Sequence, residues 1–190
     1  MRRTAQLLIG IALLAGCSGD PTTANSAASE QARTASPTQA SGAAELRDLA
    51  TLRRVTARFH DFDTAVGAGW SAKITSCMTD PTLGGMGFHY GNTALIDGTA
   101  RVDQPELLLY EPEQNGRLRL VAVEYIIPYT FHSRDDAPPV LFGHEFQQND
   151  VFQLWGLHAW VWKENSSGMF ANWNPAVNCE HTTDLASMAH

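Results

Sequence analysis

A long stretch of strand-forming residues, Arg117–Ile127, constrains the fold of this chain more than any other segment. It reads RLRLVAVEYII, is rich in β-branched residues, and follows the turn-forming Gln114–Gly116. Side chains alternate between the two faces of a strand. The face expected to point inward consists of Leu118, Leu120, Ala122, Glu124 and Ile126. A regular strand therefore carries the Glu124 carboxylate into an apolar layer.

A carboxylate in an apolar layer is costly unless it is protonated or has a partner. One candidate partner is an arginine, and the available arginines are Arg101, Arg117, Arg119 and Arg134. The other candidate is a cation held together with further ligands. The identity of the partner of Glu124 therefore decides most of what this sequence predicts about function.

Two further strand-like segments each carry a histidine among apolar residues. His89 lies in Met86–Tyr90, and His158 lies in Phe152–Trp162. Two imidazoles and a carboxylate are a common ligand set for zinc, copper, iron or manganese, and neighbouring strands could bring the three groups together. The sequence thus predicts a metal site at His89, Glu124 and His158, with His144 as a possible fourth ligand.

Other interpretations of these residues stay open. A histidine within a strand is often a hydrogen-bonded core residue, and the chain has no HExxH or other metalloenzyme motif. Glu124 and a neighbouring histidine could also form a general acid–base pair. No GxSxG nucleophile motif is present. If the protein is an enzyme, Glu124 is the residue expected to carry the chemistry.

The N-terminus indicates the cellular address. Arg2 and Arg3 precede a short apolar stretch, Leu7–Ala15, which ends in Leu14-Ala15-Gly16-Cys17. This tetrapeptide resembles the lipobox of bacterial lipoproteins. The resemblance implies a signal peptide over residues 1–16, lipidation of Cys17, and anchoring of acyl chains such as palmitate in the cell envelope. In a cell with two membranes, Ser18 after the cysteine favours the outer membrane; in a cell with one membrane, the anchor lies in the outer face of the plasma membrane. An ordinary cleaved signal peptide is the alternative.

Composition divides the remainder of the chain into three parts. Residues 17–43 are rich in Ser, Thr, Ala, Gln and Pro, and are predicted to be a disordered tether after the lipidated cysteine. Residues 44–179 are predicted to form a single globular domain, and residues 180–190 a flexible tail. Because the formal net charge is −7, nucleic acid is not an expected partner.

Cys77 and Cys179 remain once Cys17 is assigned to lipid. In an oxidising compartment they are expected to form one disulfide bond. A thiolate metal site is the alternative, although neither residue lies in a CxxC or CxxH pattern.

The predicted fold class is α+β, with one long N-terminal amphipathic helix on a mostly antiparallel sheet. The helix is expected over about Ala43–Val66 because apolar residues recur there at intervals of three and four. They are Leu46, Leu49, Leu52, Val55, Phe59, Phe62 and Val66. His60 lies off this stripe and is expected to be solvated. The hairpin of Glu106–Glu111 with the long strand is the clearest strand pair.

The folded part also resembles a family of secreted or lipid-anchored bacterial proteins without an assigned activity. The stretches that carry the likeness are GGMGFHYGN, ELLLYEPEQNGRLRLVAVEYIIP and LHAWVWKENSSGMFANWNPAVNC, within about Thr56–Cys179. The likeness implies no catalytic residue.

Three functions are therefore considered. The first is a membrane-anchored lipoprotein that binds a metal ion or small ligand in a His/Glu pocket lined by Tyr90, Tyr125 and Trp160. The second is a metal-dependent or acid–base enzyme that uses the same pocket. The third is a non-catalytic envelope module that contacts a protein partner through Met169–Trp173.

Overall fold

The computed structural model describes residues 37–182 and has an α+β fold with an antiparallel sheet. The predicted signal peptide, the lipidation site Cys17 and most of the predicted tether lie outside these residues. Within residues 37–182, no helix is both long and apolar enough to cross a membrane.

The N-terminal helical region is divided, whereas the sequence predicted one long helix. Helix α1 spans Pro37–Thr56, a 3₁₀ turn spans Ala57–His60, and helix α2 spans Phe62–Gly67. The break has a local cause, because the backbone of Asp61 is extended and its side chain accepts a hydrogen bond from the Thr64 N–H at 2.7 Å. The predicted apolar stripe is interrupted as well, since Leu46 is 69% exposed.

Nine strands follow the helices in the described part of the chain. They are β1 (Ala72–Lys73), β2 (Met78–Asp80), β3 (Gly84–Gly91), β4 (Leu107–Pro112), β5 (Leu118–Pro128), β6 (Val140–Leu141), β7 (His144–Glu145), β8 (Gln147–Asn149) and β9 (Leu154–Ala159). The main sheet has the order β1-β3-β4-β5-β9-β8, and β2 pairs with β3. Strands β6 and β7 form a separate hairpin. The predicted β4–β5 hairpin is confirmed.

A β-bulge changes which residues of β5 share a face. Leu109 pairs with Ala122, but the next residue, Tyr110, pairs with Leu120, so Val121 is the extra residue. Leu118 and Leu120 consequently pack on the face covered by the helices, while Ala122 and Ile126 belong to the opposite face. The predicted single face from Leu118 to Ile126 is therefore wrong, because the bulge reverses the alternation midway along the strand.

The helices cover the first face of the sheet. Leu49, Leu52 and Phe59 are buried there against sheet residues that include Tyr110 and Val123. The Tyr110 hydroxyl donates a hydrogen bond to the Phe59 carbonyl at 2.7 Å, which ties the 3₁₀ turn to β4. This face is an ordinary hydrophobic core.

The C-terminal segment covers part of the second face. Val177 is buried against Leu107, Leu109 and the other apolar residues of that face. Cys179 forms a disulfide bond with Cys77, next to β2, so the predicted pairing is confirmed. The segment is also held by backbone hydrogen bonds in both directions between Asn174 and Gly85. Glu124 lies on this second face.

Candidate metal centre

The sheet register brings His89, Glu124 and His158 together. Glu124 of β5 lies directly opposite His158 of β9 and, on its other side, opposite Leu107 of β4. His89 of β3 pairs with Leu109, so it reaches the site diagonally across β4. All three side chains are buried. The regular register between these pairs places Glu124 on the same face as both imidazoles, and the bulge at Val121 separates that face from Leu118 and Leu120.

One oxygen of Glu124 faces both histidines. Glu124 Oε2 is 3.4 Å from His89 Nε2 and 3.9 Å from His158 Nε2. Each residue can offer one ligand atom such that these atoms lie within 4.8 Å of one another. Within residues 37–182, this is the one group of His, Cys, Asp and Glu side chains with the geometry to hold a metal ion.

The second nitrogen of His89 has its own partner. His89 Nδ1 is 2.9 Å from the Thr75 hydroxyl oxygen. With the proton on Nδ1, the imidazole donates to Thr75 and its Nε2 lone pair points towards Glu124. Histidines that ligate metals commonly use their other ring nitrogen in this way, because the hydrogen bond fixes both the tautomer and the ring orientation.

His158 lacks such a partner. Neither of its ring nitrogens has a partner at hydrogen-bonding geometry among the described residues, although the side chain is only 4% exposed. Against the larger effect of desolvation, the nearby Asn172 amide raises the pKa of His158, but its N–H donates to Gln147 Oε1 at 2.8 Å. Its ring stacks on Trp160, with centroids 6.0 Å apart and an angle of 9° between the planes. Buried polar atoms are nearly always hydrogen-bonded, so an unpartnered buried imidazole needs an explanation.

Burial shifts all three side chains towards their neutral forms. Desolvation raises the pKa of Glu124 to about 8, and the nearby Glu106 carboxyl adds to this shift. Desolvation, together with the neighbouring His158, lowers the pKa of His89 to about 3. Desolvation likewise lowers the pKa of His158 to about 4. Without a bound cation, the site therefore holds a protonated carboxyl and two neutral imidazoles near pH 7.

Glu106 is a further buried acid close to Glu124, and the sequence pattern did not predict its burial. It is 1% exposed, and its carboxyl accepts a hydrogen bond from the Ile126 N–H at 3.2 Å. Desolvation raises the pKa of Glu106 to about 8. Its position just before β4, where the alternation pattern is not yet established, concealed its burial.

Gly156 makes room for the Glu124 carboxylate. A Cβ atom at Gly156 would lie 2.9 Å from Glu124 Oε1, closer than real Cβ contacts. Gly156 pairs with Ile126, next to the Glu124–His158 pair. The missing side chain thus leaves a space in the sheet face that this carboxylate occupies.

A pocket of about 370 Å³ opens onto the three side chains. Apolar side chains form most of its wall: Ile74, Met78, Met86, Leu107, Ile126, Val151, Phe152, Leu154 and Trp173. Polar neutral residues supply the rest, namely Thr75, Gln147, Gln148, Asn149 and Asn172. The volume is at the lower end of the range of about 300–1,000 Å³ that is usual for small-molecule sites.

Several residues considered from the sequence lie elsewhere. His144 is exposed, stacks on Phe170 with centroids 4.0 Å apart, and has its Nε2 3.8 Å from Glu45. His60 is exposed and packs edge-on against Trp162. Neither belongs to the cluster. None of the three aromatic residues expected to line the pocket does so: Tyr90 and Tyr125 pack on the helix-covered face, and Trp160 contacts the ring of His158.

Three of the four candidate arginine partners of Glu124 pair with other acids, and Arg117 forms no ion pair with Glu124 in the described part of the chain. Arg119 pairs with Glu111 at 3.1 Å, Arg101 pairs with Asp97 at 2.9 Å, and Arg134 pairs with Asp150 at 2.7 Å. Within the described residues, the ion-pair partners of Glu124 are therefore imidazoles and not arginines, as the metal hypothesis requires.

No family model, curated protein or solved structure matches this chain. The likeness of the folded part to lipid-anchored bacterial proteins therefore stays a prediction from the sequence.

Proposed function

We propose that this protein binds a divalent transition metal ion through His89, Glu124 and His158, as the extracytoplasmic domain of a lipid-anchored lipoprotein. The observation that carries the metal proposal is the buried, unpartnered imidazole of His158. A bound cation would give that ring a partner and would also offset the cost of burying the Glu124 charge.

A proton is the simplest alternative to a metal, and it explains less. A proton on Glu124 Oε2 can be donated to one imidazole nitrogen. The Nε2 atoms of His89 and His158 both face that oxygen, at 3.4 and 3.9 Å. The separation of 3.9 Å is beyond hydrogen-bonding range, so a protonated carboxyl leaves His158 without a partner, whereas a metal ion accepts lone pairs from both rings and from the carboxylate.

The separations also suit a first-row metal. Ligand atoms about 2.0–2.1 Å from a tetrahedral zinc ion lie about 3.3 Å from one another. The separation of 3.4 Å between Glu124 and His89 is close to this value, that of 3.9 Å to His158 needs a contraction of about 0.6 Å, and all three ligand atoms lie within 4.8 Å of one another. Zinc, copper, iron and manganese all accept such ligands.

Zinc binding tests this proposal most directly. For protein purified without a histidine tag, we expect calorimetry to give about one equivalent of bound Zn²⁺. At a Zn²⁺ concentration about 100 times Kd, the free energy of unfolding should rise by about 2.7 kcal/mol. Zinc-free protein that shows no heat of binding and no gain in Tm would contradict the proposal.

Two variants locate the ion. Glu124→Gln replaces a neutral buried carboxyl with a neutral group of the same shape, so the fold should persist while Zn²⁺ affinity falls by about 100-fold or more. His144→Gln removes an exposed histidine outside the cluster and should leave affinity unchanged. Equal affinity in Glu124→Gln and the wild type would place the ion elsewhere.

An enzyme that uses the same residues is the second candidate. Three protein ligands leave a coordination position open, and the adjoining pocket gives a reactant access to it. Without metal, the pKa of Glu124, raised to about 8, also suits general acid–base chemistry near neutral pH. Once a substrate is found, Glu124→Gln should abolish turnover if this candidate is right.

A further inference from the structure

The walls of the pocket are apolar up to its mouth. Ile74, Val151 and Phe152 line it and are still exposed, Val151 at 86% and Phe152 at 46%. Exposed aliphatic and aromatic side chains grouped around a concave site indicate that a bound molecule covers them. The body of that molecule should therefore be hydrophobic.

Charge limits the head group of such a molecule. Among the described residues that line the pocket there is no lysine or arginine. A phosphate or another multiply charged anion would thus lack counter-charges, and an ammonium group would meet the metal ion. With a divalent ion bound by two neutral imidazoles and one carboxylate, the floor carries one net positive charge and an open coordination position.

We propose that the pocket binds a small hydrophobic carboxylic acid, with its apolar body against Phe152, Leu154 and Met86 and its carboxylate on the metal ion. This inference rests on the proposed metal centre. One carboxylate neutralises the single positive charge and supplies an oxygen ligand. The apolar body replaces water against the wall, and the pocket is also lined by the amide side chains of Gln148 and Asn172.

The test uses three probes with the same chain length: octanoate, octanol and octylammonium. Zinc is first titrated alone, and the probes are then titrated by calorimetry into zinc-loaded and zinc-free protein. We expect octanoate to bind zinc-loaded protein about tenfold or more tighter than zinc-free protein, because the ion attracts the carboxylate. In zinc-free protein octanol should be the preferred probe, so the order of preference reverses on metal loading.

Cobalt gives an independent readout of the head group. In Co²⁺-substituted protein, octanoate should change the visible d–d absorption bands because it enters the coordination sphere. Octanol at a saturating concentration should leave these bands nearly unchanged.

A matched pair of variants tests the apolar body. Phe152→Ala shortens an exposed phenylalanine of the pocket and should weaken octanoate binding by about threefold to tenfold. Phe131→Ala shortens a phenylalanine that is 59% exposed and lies outside the pocket, so it should leave binding unchanged. Neither variant should alter Zn²⁺ affinity.

The failures of the two proposals can be told apart. Absence of zinc binding in the first titration overturns the metal centre and, with it, this inference. Zinc binding without a preference for octanoate leaves the metal centre standing and overturns the carboxylic acid ligand. Equal effects of Phe152→Ala and Phe131→Ala would overturn the assignment of the pocket.

Discussion

At the scale of single residues, four buried ionisable groups should make stability depend on pH. In the metal-free protein, Glu106 and Glu124 have pKa values raised from 4.5 to about 8. The native state then holds protons that the unfolded chain releases, so stability is lost as pH rises from 4.5 to 8. His89 and His158 have pKa values lowered from 6.5 and have the opposite effect. Below pH 6.5 their imidazoles take up protons in the unfolded chain but stay neutral in the native state, so stability is lost as pH falls below 6.5.

These opposite signs predict a fall in stability above pH 6.5. Below pH 6.5 the carboxyls and the imidazoles change the free energy of unfolding with pH in opposite directions. Between pH 6.5 and 8 only the carboxyls change it. Each carboxyl can lower the free energy of unfolding by up to about 1.4 kcal/mol per pH unit. Urea unfolding of zinc-free protein at a series of pH values measures the slope, and Glu106→Gln should remove roughly half of it.

Glu145→Gln is the matched control for Glu106→Gln. Glu145 is exposed. Its replacement makes the same chemical change without altering a buried carboxyl, so it should preserve the pH dependence. A wild-type protein whose stability is flat between pH 6.5 and 8 would contradict the assignment of neutral buried carboxyls.

At the scale of elements, the alternation of side chains along β5 predicted that Glu124 is buried, but it did not predict on which face of the sheet Glu124 lies. The Arg117–Ile127 pattern assumes a regular strand, and the extra residue Val121 reverses the faces after Leu120. Strand β3 also departs from regular alternation. Met86 and His89 are three residues apart, which would place them on opposite faces of a regular strand, yet both line the same pocket, and Gly87 between them has φ of +83°. Bulges depend on the pairing partner, so a single strand's sequence does not reveal them.

The helical region shows a similar limit. Spacing predicted the burial of Leu49, Leu52 and Phe59, which the structure confirms. It did not predict the end of helix α1 at Thr56, because the Asp61 cap competes with continuation of the helix through a local hydrogen bond. Apolar periodicity persists across such a break and therefore suggests one continuous helix.

The disulfide bond gives a prediction at this scale. Cys77 and Cys179 are 102 residues apart in sequence, and the bond joins the C-terminal segment to β2. Replacing both with alanine should lower the free energy of unfolding by about 4–5 kcal/mol, since a loop of this length restricts the unfolded chain strongly. Urea unfolding of the double variant beside the wild type measures this loss.

Reduction of the wild type provides a control for the cysteine side chains themselves. Wild-type protein treated with a reductant should become about as unstable as the Cys77→Ala/Cys179→Ala variant. Unfolded, unreduced protein should also show no free thiol at these two positions. A double variant as stable as the oxidised wild type would show that the bond contributes nothing in solution.

At the scale of the whole molecule, the sequence predicted the fold class and the convergence of His89, Glu124 and His158. This was possible because an ionisable side chain in an apolar strand needs a hydrogen-bond, ionic or metal partner, and few such partners are available in an apolar layer. It did not predict Glu106, the exposed position of His144, or the Thr75 contact with His89. Those positions depend on packing between segments that are distant in sequence, which local patterns do not encode.

The proposed anchor can be tested through Cys17 in the full-length protein. In this proposal, lipid on this cysteine attaches the protein to the membrane. One acyl chain binds membranes only marginally, and two or more anchor stably. In a bacterial host, Cys17→Ser should therefore move the protein from the detergent-soluble membrane fraction to the aqueous fraction and abolish labelling with palmitate.

Ser18→Ala, which changes the neighbouring residue, should leave the membrane fraction and the palmitate labelling unchanged. Continued membrane attachment of Cys17→Ser would contradict lipid anchoring, while zinc binding by the domain would be unaffected in either case.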